Sequence, residues 1–274
     1  MTVHEETRAP IVVLGATGTT GSQVADLLEG AGQEVRRASR RSEWRFAWED
    51  ETTWQPVFDG ARAVYVVLPE EPLDLEPFTR RLTEWGVGRA VVLTARNPAV
   101  SGDGIASGAE DVFGASEVAS TFLRPSWFAQ GFTNGFFAAQ LDATGELRLP
   151  VGDGREPFID AHDIAAVAAA ILRGAAAPSA VELSGPQSLS FAEAVDIVGT
   201  RTGRELRFVD IGLDEWRASV APYLPPRMVG ALANLFDAIR QGRDDNLSDG
   251  VRDVLGAPPQ PLAAVIDRHR ETNR

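Results

Sequence analysis

The chain has 274 residues, of which 44% are hydrophobic, 8% aromatic and 24% charged, a balance that excludes collagenous, low-complexity and wholly disordered proteins. With no cysteine it has no disulfides, thiol nucleophiles, iron–sulfur clusters or cysteine zinc sites, and at this length a large apolar core makes them unnecessary. All 26 basic residues are Arg, set against 39 acidic residues for a formal charge of −13. Without lysine, Schiff-base enzymes, P-loop NTPases and protein kinases are excluded, and the negative field repels nucleic acids and anionic membranes. Met1–Pro10 carries acids and no apolar run, and the apolar stretch around Ile164–Leu172 is far shorter than the roughly 20 residues a bilayer needs. A soluble cytoplasmic protein is expected. The lysine-free, Arg- and Ala-rich composition suits a high-GC bacterial genome.

Ile11–Leu14 is a β-branched run that passes through Gly15–Ser22 (GATGTTGS) into the helical pattern of Val24, Leu27 and Leu28. Gly30 and Gly32 stop that helix, Glu34–Ala38 resumes as a strand, and Phe46–Trp48 is a candidate for a further short one. Ala63–Leu68 (AVYVVL) and Ala90–Leu93 (AVVL) are unbroken apolar strands on either side of a helix over about Leu75–Trp85. Ser107–Ser116 reads as a helix and Thr121–Leu123 as a strand closed by Arg124 and Pro125. Continuous apolar strands alternating with amphipathic helices predict a parallel sheet covered on both faces.

Past Pro125 the texture changes, with Trp127, Phe128, Phe132, Phe136 and Phe137 close together, then the turn Gly152–Gly154 and a helix Asp163–Leu172 that Asp163 is expected to cap. Val181–Leu183 is predicted as the last strand of the sheet. Ser190 and Glu193 have capping-box spacing, Leu206–Val209 reads as a strand, and about four helices follow. The predicted fold is α/β, a Rossmann-type doubly wound parallel sheet over residues 1–125, completed by 157–183, with a smaller, mainly helical substrate lobe over 126–274.

Gly15, Gly18 and Gly21 stand at the carboxyl end of the first strand and the mouth of the first helix, where a dinucleotide fold needs them. Glycine there lets backbone amides approach a pyrophosphate at the helix N-terminus, and Thr17, Thr19, Thr20 and Ser22 add hydroxyls. The other reading is a merely structural turn. After the second strand the chain offers Ser39, Arg40, Arg41 and Ser42 instead of the carboxylate that takes an NAD ribose. A guanidinium grips a 2′-phosphate, so NADPH is favoured over NADH, unless these arginines form an ordinary solvated turn.

GATGTTGS, then Thr94–Ala95, LRPSWF (Leu123 to Phe128) and GDGREPFIDAHDIA (Gly152 to Ala165) come in an order that resembles the NmrA-like atypical short-chain dehydrogenase/reductase family. Within it the chain is similar to the branch of bacterial proteins related to the ergot-alkaloid biosynthesis reductases. The resemblance runs from about residue 10 to 270. It implies a Rossmann-type domain, NAD(P)(H), and cofactor contacts at Gly15, Thr17, Gly18, Thr19, Thr20, Gly21, Ser39, Arg40, Leu68, Pro69, Thr94 and the backbone near Pro125 and Trp127. The chain departs from ordinary short-chain dehydrogenases at the Tyr/Lys pair that handles the proton: Gly102 and Ala106 fall near those places, and the only tyrosines are Tyr65 and Tyr223.

Three readings stay open. One is a reductase of an imine, quinone or activated alkene, plausible in secondary metabolism, which needs no strong protein acid. Another is a redox-silent sensor, and the third a non-redox cyclase, isomerase or dehydratase that retains the dinucleotide. Trp127, Phe128, Phe132, Trp216 and Tyr223 are candidates to wall a pocket for a flat apolar substrate, with core packing as the alternative. Thr94, Asn97, Ser107 and Glu110 fall on segments facing the nicotinamide side. Thr94 and Glu110, with Tyr223 as an outsider, are the catalytic candidates, Glu110 being either a buried proton donor or part of a solvated helix face. His162, between Asp160 and Asp163, reads as structural in preference to an acid, and with His4 and His269 in the terminal regions no metal centre is expected. The partners expected are a small molecule and, for a homodimer, a second copy; a monomer fits equally.

Overall fold

A computed structural model describes residues 9–102 and 104–272; Met1–Arg8, with His4, lie outside the described residues. Seven parallel strands form the main sheet: β1 (Ile11–Leu14), β2 (Val35–Ser39), β3 (Trp44–Arg45), β4 (Ala63–Val67), β5 (Arg89–Leu93), β6 (Ala119–Pro125) and, after the short β7 (Glu146–Leu149) and β8 (Arg155–Glu156), β9 (Ala180–Leu183). Their order is β3-β2-β1-β4-β5-β6-β9, the doubly wound arrangement in which the chain reverses direction between β1 and β4. Ligands of such sheets sit at the carboxyl edge beside that reversal.

The continuous apolar strands have the physical consequence expected of them. On one face Val13, Tyr65, Val91 and Leu123 pack against the helices Gly21–Gly30 and Ala161–Leu172. On the other, Val12, Val64, Val92 and Phe122 pack against Trp54, Phe78, Leu82 and Phe113 of the intervening helices. A separate apolar cluster centred on Phe137, Phe158, Phe191, Trp216 and Phe236 holds the lobe together. Its strands are β7 and β11 (Arg207–Asp210), paired in parallel, and β8 and β10 (Leu189–Ser190), paired antiparallel. Four helices follow β11: Leu213–Val220, Pro226–Arg240, Gly250–Leu255 and Leu262–Thr272.

The chain leaves the sheet at Pro125 and returns to it through the helix Ala161–Leu172 and β9. Ser190 and Glu193 form the reciprocal capping box of the helix Phe191–Thr202, which ends on Gly203 in the left-handed region at φ 71°. Two local expectations are corrected. The third strand is Trp44–Arg45, and Phe46 instead turns its ring into the aromatic core with Trp48, Trp54 and Phe78. The helix Ala161–Leu172 is capped by Asp160, whose side chain accepts the His162 N–H, while Asp163 accepts the Gln260 N–H at 2.7 Å and ties down the C-terminal segment. His162 Nδ1 lies 3.3 Å from Gln23 Oε1, joining two helices on the same face of the sheet.

Among the described residues no helix is long and apolar enough to cross a membrane, and no cluster of acidic or histidine side chains has metal-ligating geometry.

Candidate functional site

The glycine turn is shaped by backbone crowding. Gly15 sits at φ 66°, in the left-handed region, with the Val67 side chain 3.2 Å from where a Cβ would be. A Cβ on Gly21 would come within 2.3 Å of the Gly15 carbonyl oxygen, so only glycine lets the first helix start this close to the strand. The Gly18 N–H donates to Gly15 O at 2.8 Å and the Ser22 N–H to Gly18 O at 3.1 Å. Thr17, Gly18 and Thr19 are exposed at the rim. The helix begins with no side-chain cap and no acid in its first turn, which leaves its dipole open to an external anion. Thr20 is buried and accepts the Tyr65 hydroxyl at 3.0 Å. Burial pushes the Tyr65 phenol well above its ordinary range, so it stays protonated inside the sheet.

At the end of β2, Ser42 Oγ accepts the Ser39 N–H at 2.8 Å and donates to Trp44 O at 2.9 Å, which closes a tight turn. The earlier arginines of this strand are committed elsewhere. Arg36 donates to Val57 O and Asp59 O and lies over the Trp44 ring at 4.5 Å, and Arg37 pairs with Asp26 and Glu29. Arg40 and Arg41 are exposed, and their side chains have no hydrogen-bond or ion-pair partner among the described residues; the Arg41 N–H donates to Ser39 Oγ at 3.4 Å. Both project from the carboxyl edge next to the glycine turn.

Leu68 and Pro69 follow β4 at the same edge and are half-buried. Thr94 follows β5, and its hydroxyl lies 2.9 Å from Glu110 Oε1 and 3.1 Å from Leu123 O. Glu110 is gripped in turn by Arg124, whose Nε donates to Oε1 at 2.9 Å and whose Nη2 pairs with Oε2. The structure therefore joins Thr94 and Glu110, two of the sequence candidates, and adds Arg124 as a third member. A carboxylate chelated by a guanidinium is an anchor for the Thr94 hydroxyl, which is neither of the roles considered for Glu110 from sequence. Ser107 is half-buried on the same helix. Asn97, at φ 48°, gives its amide to Asp244 at 2.6 Å. Gly102 and Ala106 place no hydroxyl or ammonium at the edge.

The aromatic candidates separate. Trp127 is half-buried, stacks on Phe137 at 5.6 Å with 6° between the rings, and leans on Phe236 at 5.4 Å. Phe128 is half-buried against the sheet core. Phe132 and Trp216 are only 4% and 1% exposed, inside the lobe core, and Tyr223 is 82% exposed on its surface. Phe132 packs on Phe137 and Trp216 on Phe236, the two rings that brace Trp127, so both belong to the lobe core. Three ionisable groups that no sequence signal marks are buried on the far side of Trp127: Arg96, Glu156 and Asp244, which are 6%, 0% and 5% exposed. Only tertiary packing makes a charged residue in an ordinary turn into an interior one.

No family model matches the chain. It is 32% identical to the uncharacterized oxidoreductase YesF of Bacillus subtilis over 95% of each chain. It is 29% identical to festuclavine dehydrogenase of Aspergillus fumigatus over 91% of this chain and 93% of that one. Among solved structures, triphenylmethane reductase of Citrobacter sp., complexed with NADP(H), superposes with a TM-score of 0.73 at 18% identity, covering 94% of this chain and 99% of that chain. NmrA, a negative transcriptional regulator in complex with NAD, does so at 0.73 and 13% identity, covering 98% of each. Fold, glycine turn and relatives define a Rossmann-type oxidoreductase that uses a nicotinamide dinucleotide. Within that class the chain belongs to the NmrA-like atypical short-chain dehydrogenase/reductase family.

Proposed function

We propose that the chain is an NADPH-preferring reductase of a small, flat, apolar electrophile, an imine, a quinone or an activated alkene. The observation that carries the substrate class is the Thr94–Glu110–Arg124 triad: the hydroxyl that follows β5 at the carboxyl edge is held by an anchored carboxylate, and the chain has no Tyr/Lys pair to stand beside it. Substrates that accept electrons without a strong protein acid fit such a site.

The residues present fit the cofactor. Gly15, Gly18 and Gly21 leave room for a pyrophosphate against the uncapped helix, and the unpartnered Arg40 and Arg41 suit a 2′-phosphate. A bound nicotinamide dinucleotide supplies two electrons and one hydrogen. The chain's own part is positioning. Leu68, Pro69 and Pro125 form the carboxyl-edge walls, the Thr94 hydroxyl holds a fixed direction, and Trp127 presents an indole braced by Phe137 and Phe236 on which a planar substrate can lie.

The test is consumption of NADPH by the purified protein with a panel of quinones, imines and enones. An enzyme oxidises NADPH with at least one of them and prefers it to NADH. Tight binding of both coenzymes with no consumption across the panel would overturn the proposal in favour of a sensor.

A further inference from the structure

Among the described residues two carboxyls, Asp160 and Glu156, are completely buried, and their surroundings differ. Asp160 uses both oxygens: Oδ1 accepts from the His162 N–H and Gln130 Nε2, and Oδ2 from Arg268 at 2.5 Å. It is built to carry a charge. Glu156 accepts one hydrogen bond, from the Trp127 N–H to Oε1 at 3.0 Å, and its Oε2 has no partner. An ionised carboxylate does not persist in a dry site with one oxygen unpaired, whereas a neutral acid does.

The neighbouring charges agree. Arg96 donates through Nη1 to Asp244 O at 3.1 Å and Asn246 O at 2.7 Å, while its Nε and Nη2 make no hydrogen bond. Asp244 takes the Asn97 amide. One buried cation is matched by one buried anion, and a second anion on Glu156 would leave the cluster negative. Glu182, half-exposed, pairs with Arg124 through Oε1 and brings Oε2 to 3.9 Å from Arg96 Nε, which adds to the negative side of the cluster. Other charged groups on the packed elements face elsewhere: Arg155 pairs with Glu193, Arg240 with Asp210, and Asp237 takes Gln241 and Arg243. Burial first, and Asp244 in smaller measure, push Glu156 up to about 8, against the opposing pull of the Trp127 N–H and Arg96.

What Glu156 holds is the start of the aromatic wall. The Trp127 carbonyl receives the Ile159 N–H at 2.9 Å, its N–H goes to Glu156, and its indole lies on Phe137. We propose that Glu156 is a positioning residue that sets Trp127, and through it the substrate wall, and that this wall is correctly placed only while the buried carboxyl keeps its proton. When the proton leaves to solvent, the available counter-charge is Arg96, whose charge already acts on Glu156 and whose Nη2 makes no hydrogen bond. Its turning toward the carboxylate draws it off Asp244 O and Asn246 O and disturbs Trp127 and the 244–246 loop together. The kinetic part of this inference rests on the reductase reading.

The test compares wild type with Glu156→Gln, an isosteric neutral side chain, and with Asp244→Asn, from pH 6 to 9.5. The signal is tryptophan fluorescence after subtraction of the matching Trp127→Phe protein, alongside KM for the quinone menadione and Kd for NADPH. The wild type is expected to show a fluorescence step near pH 8. Its KM is expected to rise about tenfold from pH 7 to pH 9, since one unit above the midpoint leaves roughly a tenth of the acid protonated, with NADPH affinity unchanged. Glu156→Gln abolishes both changes and keeps the neutral-pH KM, and Asp244→Asn moves the step to lower pH. A step that persists in Glu156→Gln, or no step in the wild type, overturns the proposal. A step with the expected pattern but no turnover of any quinone, imine or enone overturns the reductase reading and leaves the positioning role supported.

Discussion

Arg227, at the head of the lobe helix Pro226–Arg240, and Glu71, in the loop after β4, form an ion pair of 2.9 Å that spans from lobe to sheet. Arg227 also donates to Glu70 O. On the next loop, Ser101 O accepts the Asn234 amide at 2.9 Å from the same helix. The two loops at the carboxyl edge are thus fastened to one helix. The Glu71 side chain is 74% exposed, so the pair adds at most about 1 kcal/mol to stability. Arg227→Ala is therefore expected to leave the melting temperature nearly unchanged and to speed NADPH dissociation severalfold, read by stopped-flow fluorescence. An unchanged dissociation rate would show that the loop holds its position without the pair.

Gly21→Ala is the severe test of the glycine turn. With 2.3 Å between the new Cβ and Gly15 O, backbone must move. We expect a loss of about 1–3 kcal/mol of stability and a fall in NADPH affinity of at least about tenfold, measured by thermal unfolding and calorimetry.

Arg40→Ala separates the two coenzymes. Loss of charge-assisted bonds to a 2′-phosphate costs about 1.5–3 kcal/mol, a ten- to hundredfold weakening for NADPH, with NADH affinity unchanged. Equal losses for both would place Arg40 outside the site.

The chelation of Glu110 gives it a structural signature. Glu110→Gln leaves the half-buried Arg124 with Glu182 alone, at 3.3 Å, and is expected to cost about 1–3 kcal/mol of stability. The pH profile of kcat should keep its shape if the Arg124-chelated carboxyl only anchors Thr94. Loss of an acid limb in the variant would restore Glu110 as a donor.

Glu156 also makes stability depend on pH. Its folded value, about 8, lies above the ordinary 4.5, so between those values the folded state holds a proton that the unfolded chain has released. Stability from this group is full below about pH 4.5, declines as pH rises, and is lost by about pH 8. Chemical denaturation of wild type and Glu156→Gln should therefore diverge on going from pH 5 to pH 8, with the variant gaining. Parallel curves would mean that Glu156 is ionised in the folded protein.

Much of this architecture was legible because it is local. The β-branched runs, the glycine turn and the Ser190/Glu193 box are written in neighbouring residues, and each took the predicted form. The exposed place of Arg40 in the turn after β2 was legible for the same reason. Glu110 and Glu156 were not legible. The partner of the first, Arg124, comes from a strand whose register against β5 brings the two together, and the second is buried where β8 meets Trp127 and the helix Pro226–Arg240, both distant in sequence. Phe132 and Trp216 show the same limit in reverse, since spacing identifies an aromatic cluster without saying which rings face outward.

The sheet's outermost parallel strand, β9, arrives only after the polypeptide has already built part of the lobe. A truncation after Pro125 would strip β6 of its neighbour and bare an edge prone to intermolecular pairing. Anyone grafting a relative's specificity onto this scaffold must therefore exchange two separate stretches, before and after the helix and strand at 161–183, because a single crossover would divide the structure through its middle.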